Sequence, residues 1–459
     1  MVGYDDAETF LARLLELLPV GSAADVRLRA SEFGTMRFAN GHIHQPHLER
    51  LTELSLRVAI DRRLATVTTF DLSRSGRKEA VRRALALARV APEEPKFPGF
   101  PGGGSRPPVV PYSAATARAT PEEQGRWAAR LIDGARSSVE DGRVAGVAHI
   151  GETWLAVANT AGRSVRTRRS IAAARVLVER PSQDPPPSGW SEAAHFDLRR
   201  LDPEALGREA GETLARQAPE PLAPDRYRVL LSGSATATLL SELGHLGFGA
   251  RGAEEGWSAL TRRWGRRVAP EGFTLVDDAR SPLSLPQGID QEGLSKRRTV
   301  LIDDGIATGP VLDLVTAARL GRRPTGHAWP PEAPWGELGA TPQNMIVRPG
   351  SARSLEELIR ETRRGVLVNR FHYVRTVDPA RAILTGMTRD GTYRIERGEV
   401  VAPVRNLRFT ESILTALAGA ELWGRELRCY ANSDERGAVS VTAPALLTRA
   451  FRFTSATVF

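Results

Sequence analysis

The sequence of 459 residues has little cysteine and no long apolar run. Its single cysteine, Cys429, excludes an intramolecular disulfide and a cysteine-rich metal site. No stretch approaches the roughly 18 consecutive apolar residues of a membrane-spanning helix. The acidic start, Asp5-Asp6, lacks the basic and apolar segments of a signal peptide. With 41% hydrophobic and 25% charged residues the composition is that of a globular protein, and we expect a cytoplasmic location.

Lysine is almost missing from the positive charges. Only three of the 63 basic residues are lysines, so the net charge of +9 is carried by arginine. Such a ratio is typical of a GC-rich genome. Arginine doublets such as Arg62-Arg63 and Arg297-Arg298 are scattered between acidic residues, whereas a nucleic-acid-binding protein gathers its positive charge on one element. The charge alone therefore does not indicate a nucleic-acid partner.

Proline-rich segments divide the chain into two unlike halves. The length allows two to four domains. Before the prolines of Pro219-Glu220-Pro221, helical periodicity, as over 75–90, alternates with strands such as Leu54–Ile60. After them, strands and turns predominate. We predict an α+β fold with two domains, a mixed α/β domain over residues 1–220 and a strand-rich domain over residues 221–459.

Local signals predict several helix ends and turns. Asn40-Gly41 predicts a tight turn between two strands. Thr120–Glu123 and Ser354–Glu357 have the pattern of capping boxes. In a capping box, the side chain of the first residue and that of the last each accept a hydrogen bond from the other residue's backbone N–H. Residues 203–217 have helical periodicity, and the Pro- and Gly-rich stretch Pro92–Pro111 predicts a loop.

Three histidines, His42, His44 and His47, follow the Asn40-Gly41 turn. In a strand, His42 and His44 would share one face and could present two imidazoles to a metal ion. Nothing in the local sequence supplies a third ligand, and a polar strand end beside a turn explains the same pattern. Metal binding at these histidines stays open.

A strand over Tyr227–Leu231 precedes a helix that contains the second candidate site. Glu242 and His245 are three residues apart and would share a helical face. Zinc hydrolases of the helix type need two histidines with a glutamate as general base. Leu240 and Ser241 supply neither, so the residues alone favour a helix end with a partly exposed histidine.

Paired acids in glycine-rich turns form the third candidate. They are Asp277-Asp278, Asp290–Gly293 and Asp303-Asp304-Gly305. Carboxylate clusters can hold hard cations, but Asp-Gly is above all a hairpin signal. We interpret all three as structural turns.

Several segments occur along the chain in an order and spacing that are typical of one protein family. They are Arg37–Gly41, Leu54–Ile60 and 75–90 in the N-terminal half, and Asp290–Gly293, Val300–Ile306, Ala317–Gly321, Pro324–His327, Asn344–Gly350 and Glu399–Thr410 in the C-terminal half. Together they resemble the TldD/PmbA (modulator of DNA gyrase) peptidase family over nearly the whole chain. The resemblance implies two α+β domains, the second rich in strands.

The resemblance also implies two kinds of subunit. The TldD type carries zinc on a His-Glu-x-x-x-His helix with a later cysteine, and the TldE (PmbA) type lacks this set. Leu240, Ser241 and His245 stand at the three helix positions here, and the cysteine position falls near Asn432, three residues from Cys429. The chain therefore resembles the non-catalytic type, with no catalytic residue, cofactor or metal of its own.

The expected partner is a TldD-type subunit that holds the zinc, and the expected substrate is an unfolded or precursor peptide. No membrane partner is expected. Two alternatives from other classes remain. One is a self-sufficient metal-dependent peptidase that uses His245, Glu242 and His42 or His44, and the other is a basic nucleic-acid-binding protein.

Overall fold

The computed structural model describes residues 2–104, 106–139, 141–181, 186–214, 218–329, 339–431 and 439–456. In these residues the strands form three sheets, and helices cover them. The predicted α+β class is confirmed. No helix in this part of the chain combines the length and the apolar character needed to cross a membrane.

The first sheet is antiparallel and has the order β3-β2-β1-β4-β5-β6. Its strands are β1 (Ala23–Ala39), β2 (His42–Ile60), β3 (Arg63–Thr69), β4 (Arg143–Asn159), β5 (Ser164–Glu179) and β6 (Ser188–His195). The helices around it are α1 (Ala7–Leu15), α2 (Arg74–Val90), α3 (Ala114–Ala117), α4 (Pro121–Ser138) and α5 (Pro203–Glu212).

Local sequence signals account for most boundaries of this half. The turn at Asn40-Gly41 is confirmed, with φ of 50° and 72° at its two residues, the positive values that such a turn requires. The capping box at Thr120–Glu123 is present at the start of α4. The predicted helix over 203–217 is wrong at its end: α5 stops at Glu212, and residues 215–217 lie outside the described residues.

The second and third sheets are built after residue 224, in the orders β10-β9-β8-β11-β18-β17 and β12-β7-β19-β15-β13-β14, with β16 paired to β19. The strands are β7 (Arg226–Leu231), β8 (Leu275–Asp277), β9 (Thr299–Asp303), β10 (Ile306–Ala307), β11 (Asn344–Val347), β12 (Arg364–Asp378), β13 (Ile383–Glu396), β14 (Glu399–Pro403), β15 (Leu407–Ser412), β16 (Ala420–Trp423), β17 (Arg428–Ala431), β18 (Ser440–Ala443) and β19 (Leu446–Ala456). The helices are α6 (Gly233–Phe248), α7 (Ala250–Glu255), α8 (Leu314–Arg319), α9 (Leu355–Thr362) and α10 (Ile413–Ala418).

Helix α6 lies between the second and third sheets and packs against β18 of one and β12 of the other. Ser232 caps its start by accepting a hydrogen bond from the backbone N–H of Ala235 at 3.2 Å. Most of the helix is buried because it is apolar on nearly all sides, as a helix enclosed by two sheets must be. The core of this half is therefore built around α6.

The two halves meet through both apolar and polar contacts. Ser188 of β6 donates a hydrogen bond to Asp390 of β13 at 2.6 Å, and Arg428 of β17 donates to Glu209 of α5 at 2.8 Å. The first sheet uses residues 23–195 and the other two use residues 226–456. The domain boundary near residue 221 stays a prediction.

Candidate functional site

A cavity of about 430 Å³ opens beside α6, between the edge of the first sheet and the other two sheets. Its walls come from β5, β6, α6, β12, β17 and β18. The polar and charged side chains that line it include Arg175, Glu192, Ser234, Glu242, Arg370 and His372. The volume falls within the range of roughly 300–1,000 Å³ that is common for ligand pockets.

One polar stripe of α6 faces this cavity. Ser234, Thr238, Ser241 and Glu242 line it, and their spacing of four, three and one residues places them on one side of a helix. Leu240, on another side, is 2% exposed within the main core. A polar stripe on an otherwise apolar helix is a sequence signal that the motif-based interpretation missed.

The two arginines of the cavity are already paired with carboxylates. Arg370 Nε lies 3.1 Å from Asp390 Oδ2, and its guanidinium lies over the Trp190 ring, 3.7 Å from the ring centroid. Arg175 Nε lies 3.3 Å from Glu192 Oε2. The local positive charge is therefore neutralised within the protein.

Glu192 has a second partner, since Ser234 of α6 donates a hydrogen bond to its other carboxylate oxygen. Arg175 also donates to the backbone oxygen of Ala431 on β17, at 2.9 Å. These bonds join β5 and β6 of the first sheet to α6 and β17. The wall of the cavity is thus a junction between the two halves of the chain.

Glu242 differs from these groups. Its carboxylate forms no hydrogen bond or ion pair within the described part of the chain. Desolvation raises the pKa of Glu242 to about 7, although the nearby charge of Arg375 acts to lower it. The cavity thus contains one carboxylate that has no described partner.

His245 does not lie in this cavity. His245 lies in the last turn of α6, as expected, but the structure corrects the expectation of partial exposure, since the residue is only 8% exposed. Burial lowers the pKa of His245 to about 4, so the imidazole is neutral at neutral pH. Glu242 and His245 thus point to different surroundings, one to the cavity and one to the core.

The residues of α6 do not fit the zinc centre of the TldD type. Leu240 has no donor atom and is packed in the core, and Ser241 offers only a hydroxyl group where a general base is needed. Over the described ranges, no group of three or more His, Cys, Asp or Glu side chains is arranged to hold a metal ion. A tetrahedral zinc site therefore cannot be assembled from these positions.

Cys429 does not replace the missing ligand. It is buried in β17 beside Phe33 and Leu285, and burial raises the pKa of its thiol to about 11. A metal ligand must be a thiolate, which burial disfavours here. Asn432, the position aligned with the family's cysteine, lies outside the described residues.

The three histidines of the N-terminal half are far from α6. His42, His44 and His47 are exposed at the start of β2, directly after the turn, which confirms the polar strand end. His44 lines a separate cavity of about 500 Å³ with His149. The sheet order places β2 four strands from β6, which is about 19 Å at the usual strand spacing. The ligand set of the self-sufficient peptidase is not brought together.

The acidic turns have structural roles in the chain. Asp304 and Gly305, with φ of 47° and 81°, form the turn between β9 and β10. Asp290 accepts hydrogen bonds from the backbone N–H groups of Glu292 and Leu294 at 3.0 and 2.9 Å. The structural interpretation of these two turns is confirmed, but Asp277 ends strand β8 and is fully buried.

A buried charged cluster lies next to these turns. Arg57 of β2 is 3.0 Å from Asp25 and 3.6 Å from Glu292, so it joins the first sheet to the C-terminal half. Lys296, which is fully buried, donates a hydrogen bond to Gln343 at 2.6 Å. Sequence reasoning missed this cluster because its members are far apart along the chain.

The model of the PmbA/TldA metallopeptidase C-terminal domain matches residues 224–455, half of the chain. The chain belongs to the PmbA/TldD metallopeptidase family. Domain 1 of the same family matches residues 24–88, which include β2, β3 and most of β1 and α2. The resemblance found in the sequence is therefore confirmed.

Relatives of this PmbA/TldD family member are found among curated proteins and solved structures. A protein of Methanothermobacter thermautotrophicus named metalloprotease is 29% identical over 242 residues, which are 50% of this chain and 50% of that protein. The chain thus matches only half the length of that relative.

Two solved structures match this chain over nearly its whole length. TldE from Thermococcus kodakarensis has a TM-score of 0.85 at 20% identity, and the match covers 98% of this chain and 100% of that one. A putative modulator of DNA gyrase from Thermotoga maritima has a TM-score of 0.83 at 20% identity, with the same coverage. At this identity the likeness shows the fold alone.

Proposed function

We propose that this chain is a non-catalytic, TldE-like subunit that pairs with a zinc-carrying TldD-type peptidase subunit. The observation that carries the proposal is Leu240: a leucine packed in the core occupies the position where the family's zinc helix has its first histidine. The family fold is retained, whereas the first histidine and the glutamate of the zinc helix are replaced by Leu240 and Ser241. A chain that keeps the family fold without a complete set of metal ligands can still serve as the partner of a subunit that holds the metal.

The assembly acts on unfolded or precursor peptides in a cytoplasmic chamber that the two subunits enclose. Closure excludes folded proteins, which explains selectivity without a sequence motif. An extended peptide can add to a sheet edge through backbone hydrogen bonds that depend little on its side chains. This chain contributes walls and an edge, and its partner contributes the zinc.

The proposal is tested with the chain and the TldD-type subunit of the same genome, purified separately and together. We expect a stable complex by size-exclusion chromatography and peptide hydrolysis only by the mixture. Elemental measurement on this chain alone should find far less than one zinc per chain. In the mixture, activity should survive His245→Gln and His245→Ala, with His47→Ala as an exposed control.

Hydrolysis by this chain alone that His245→Gln abolishes would contradict the proposal, as would one tightly held zinc per isolated chain. Failure to recover any subunit with a His-Glu-x-x-x-His helix from the native cell would contradict the pairing.

A further inference from the structure

The charges of the cavity beside α6 do not balance. Arg175 is paired with Glu192 and Arg370 with Asp390, so these four charges cancel. The remaining carboxylate, Glu242, lines the cavity and has no hydrogen bond or ion pair to any described residue. A desolvated carboxylate gains most from a positively charged hydrogen-bond donor.

This chemistry selects among ligand classes. An anion would find both arginines already neutralised. A metal ion would find only one carboxylate that is not already paired, where Zn²⁺ or Ca²⁺ needs several ligands. An ammonium or guanidinium group needs only one carboxylate and gains from aromatic surroundings. Tyr373 and Tyr430 line the same cavity and supply such surroundings.

The cavity also borders an open strand edge. Strand β12 pairs with β7 only from Val366 to Val368, and beyond Val368 no strand in the described part of the chain pairs with that edge. The next residues of β12, Arg370–Val374, line the cavity. Tyr373, with φ of 51°, interrupts the regular strand, so the regular part of this edge is Arg370–His372. There, alternate backbone groups point away from β13 toward the edge that has no strand beside it.

We propose that this cavity binds an extended peptide that adds to the open edge of β12 and places a lysine or arginine side chain against Glu242. The backbone supplies affinity through the strand edge, and Glu242 selects the basic residue. This site rests on the peptide-binding role proposed above and specifies it, but it is a property of this chain by itself and does not depend on pairing. Failure of pairing would leave it standing, and its failure would leave pairing standing.

The test uses the isolated chain and fluorescently labelled decapeptides of Ala and Thr with one central residue, Lys, Arg, Gln or Glu. We expect the Lys and Arg peptides to bind about tenfold or more tightly than the Gln peptide in an anisotropy titration, since a hydrogen bond to a charged group is worth about one such factor. Glu242→Gln should remove this preference, whereas Glu399→Gln, at an exposed position on β14, should keep it.

Two further arms test the strand edge and the nearby cation. Two versions of the Lys peptide are N-methylated, one at the odd and one at the even backbone positions. Only one version should bind more weakly, because only every second backbone N–H of a strand faces β12. Arg375→Gln should strengthen binding of the Lys peptide, since the positive charge of Arg375 acts on Glu242 from the same strand.

Equal affinity for the Lys and Gln peptides, or a preference that persists in Glu242→Gln, would overturn the proposal. N-acetyl-lysine methylamide separates a peptide from a small free cation. If it bound as tightly as the Lys peptide, the role of β12 would be contradicted.

Discussion

The cavity beside α6 and the buried cluster around Arg57 each contain a glutamate whose carboxylate is removed from water. Desolvation raises the pKa of Glu242 to about 7, and it also raises the pKa of Glu292, although the charge of Arg57 acts to lower the latter. Their partners differ. Glu292 faces Arg57 and accepts a hydrogen bond from the backbone N–H of Leu314 at 2.9 Å. Glu242 has no such contact in the described structure and faces open space.

This difference separates a structural carboxylate from a candidate binding carboxylate. A raised pKa is common to both and by itself identifies neither. The presence of an internal cation indicates that Glu292 helps to hold two halves together. Glu242 faces a cavity, and Arg375 acts on it without an ion pair in the described part of the chain, which favours a binding role for this carboxylate.

The largest expected effect is at the structural cluster. Arg57→Met should lower the free energy of unfolding by about 3–5 kcal/mol, because it leaves the buried carboxylates of Asp25 and Glu292 without their cation. Urea denaturation measures this. The control is Arg50→Met, which breaks an exposed pair with Glu32 and should cost less than about 1 kcal/mol. If both variants lost the same free energy of unfolding, the contacts of Arg57 would stabilise the protein no more than an exposed ion pair does.

The buried side of α6 should be sensitive to acid. The pKa of His245 is lowered from 6.5 to about 4 by burial, so between these pH values the unfolded chain binds the proton and the folded chain does not. Stability from this group is therefore complete above pH 6.5 and is lost as pH falls to 4, by about 2–3 kcal/mol. In His245→Gln, the free energy of unfolding should fall by about 2–3 kcal/mol less than in the wild type between pH 6.5 and 4.

His47→Gln, at an exposed position, should leave the acid loss unchanged. If wild type and His245→Gln lost the same amount of stability between pH 6.5 and 4, the pKa of His245 would not differ between the folded and unfolded chain, and the prediction would be wrong.

The smallest expected effect is at the cavity. The raised pKa of Glu242 means that the folded chain keeps a proton between pH 4.5 and 7 that the unfolded chain releases, so stability falls as pH rises through this window. Glu242→Gln should therefore be more stable than wild type at pH 8 and equal to it at pH 4. We expect about 1–2 kcal/mol rather than the roughly 3 kcal/mol of the full shift, because Glu242 is only partly buried and solvent screens it. Glu399→Gln is the matched control. A destabilised Glu242→Gln at pH 8 would show that this carboxylate has a partner in the folded protein.

The sequence was informative wherever structure depends on neighbours along the chain. Helical periodicity located α2 and α6, and the Asn40-Gly41 turn and the Thr120 cap were correct to the residue. The mismatch of Leu240 to a zinc motif was visible because helical spacing fixes which residues share a face.

The cavity could not be predicted in the same way. Its lining joins Arg175, Glu242, Arg370 and Tyr430, which span about half of the chain and meet only when all three sheets are packed. Pairings between distant strands depend on the whole topology rather than on local propensity. The polar stripe from Ser234 to Glu242 was the one local trace of the cavity, and it needed a known fold to be interpreted.

The scarcity of lysine has a practical consequence for studying assembly. Lys296 is buried beside Gln343, whereas Lys78 and Lys96 are exposed, on α2 and shortly after it. Lysine-directed cross-linkers and biotin reagents will therefore attach beside the first sheet and will not touch the cavity lining, which contains no lysine. A surface-immobilised chain should keep its cavity accessible, and cross-links to a second subunit will report only on contacts near α2.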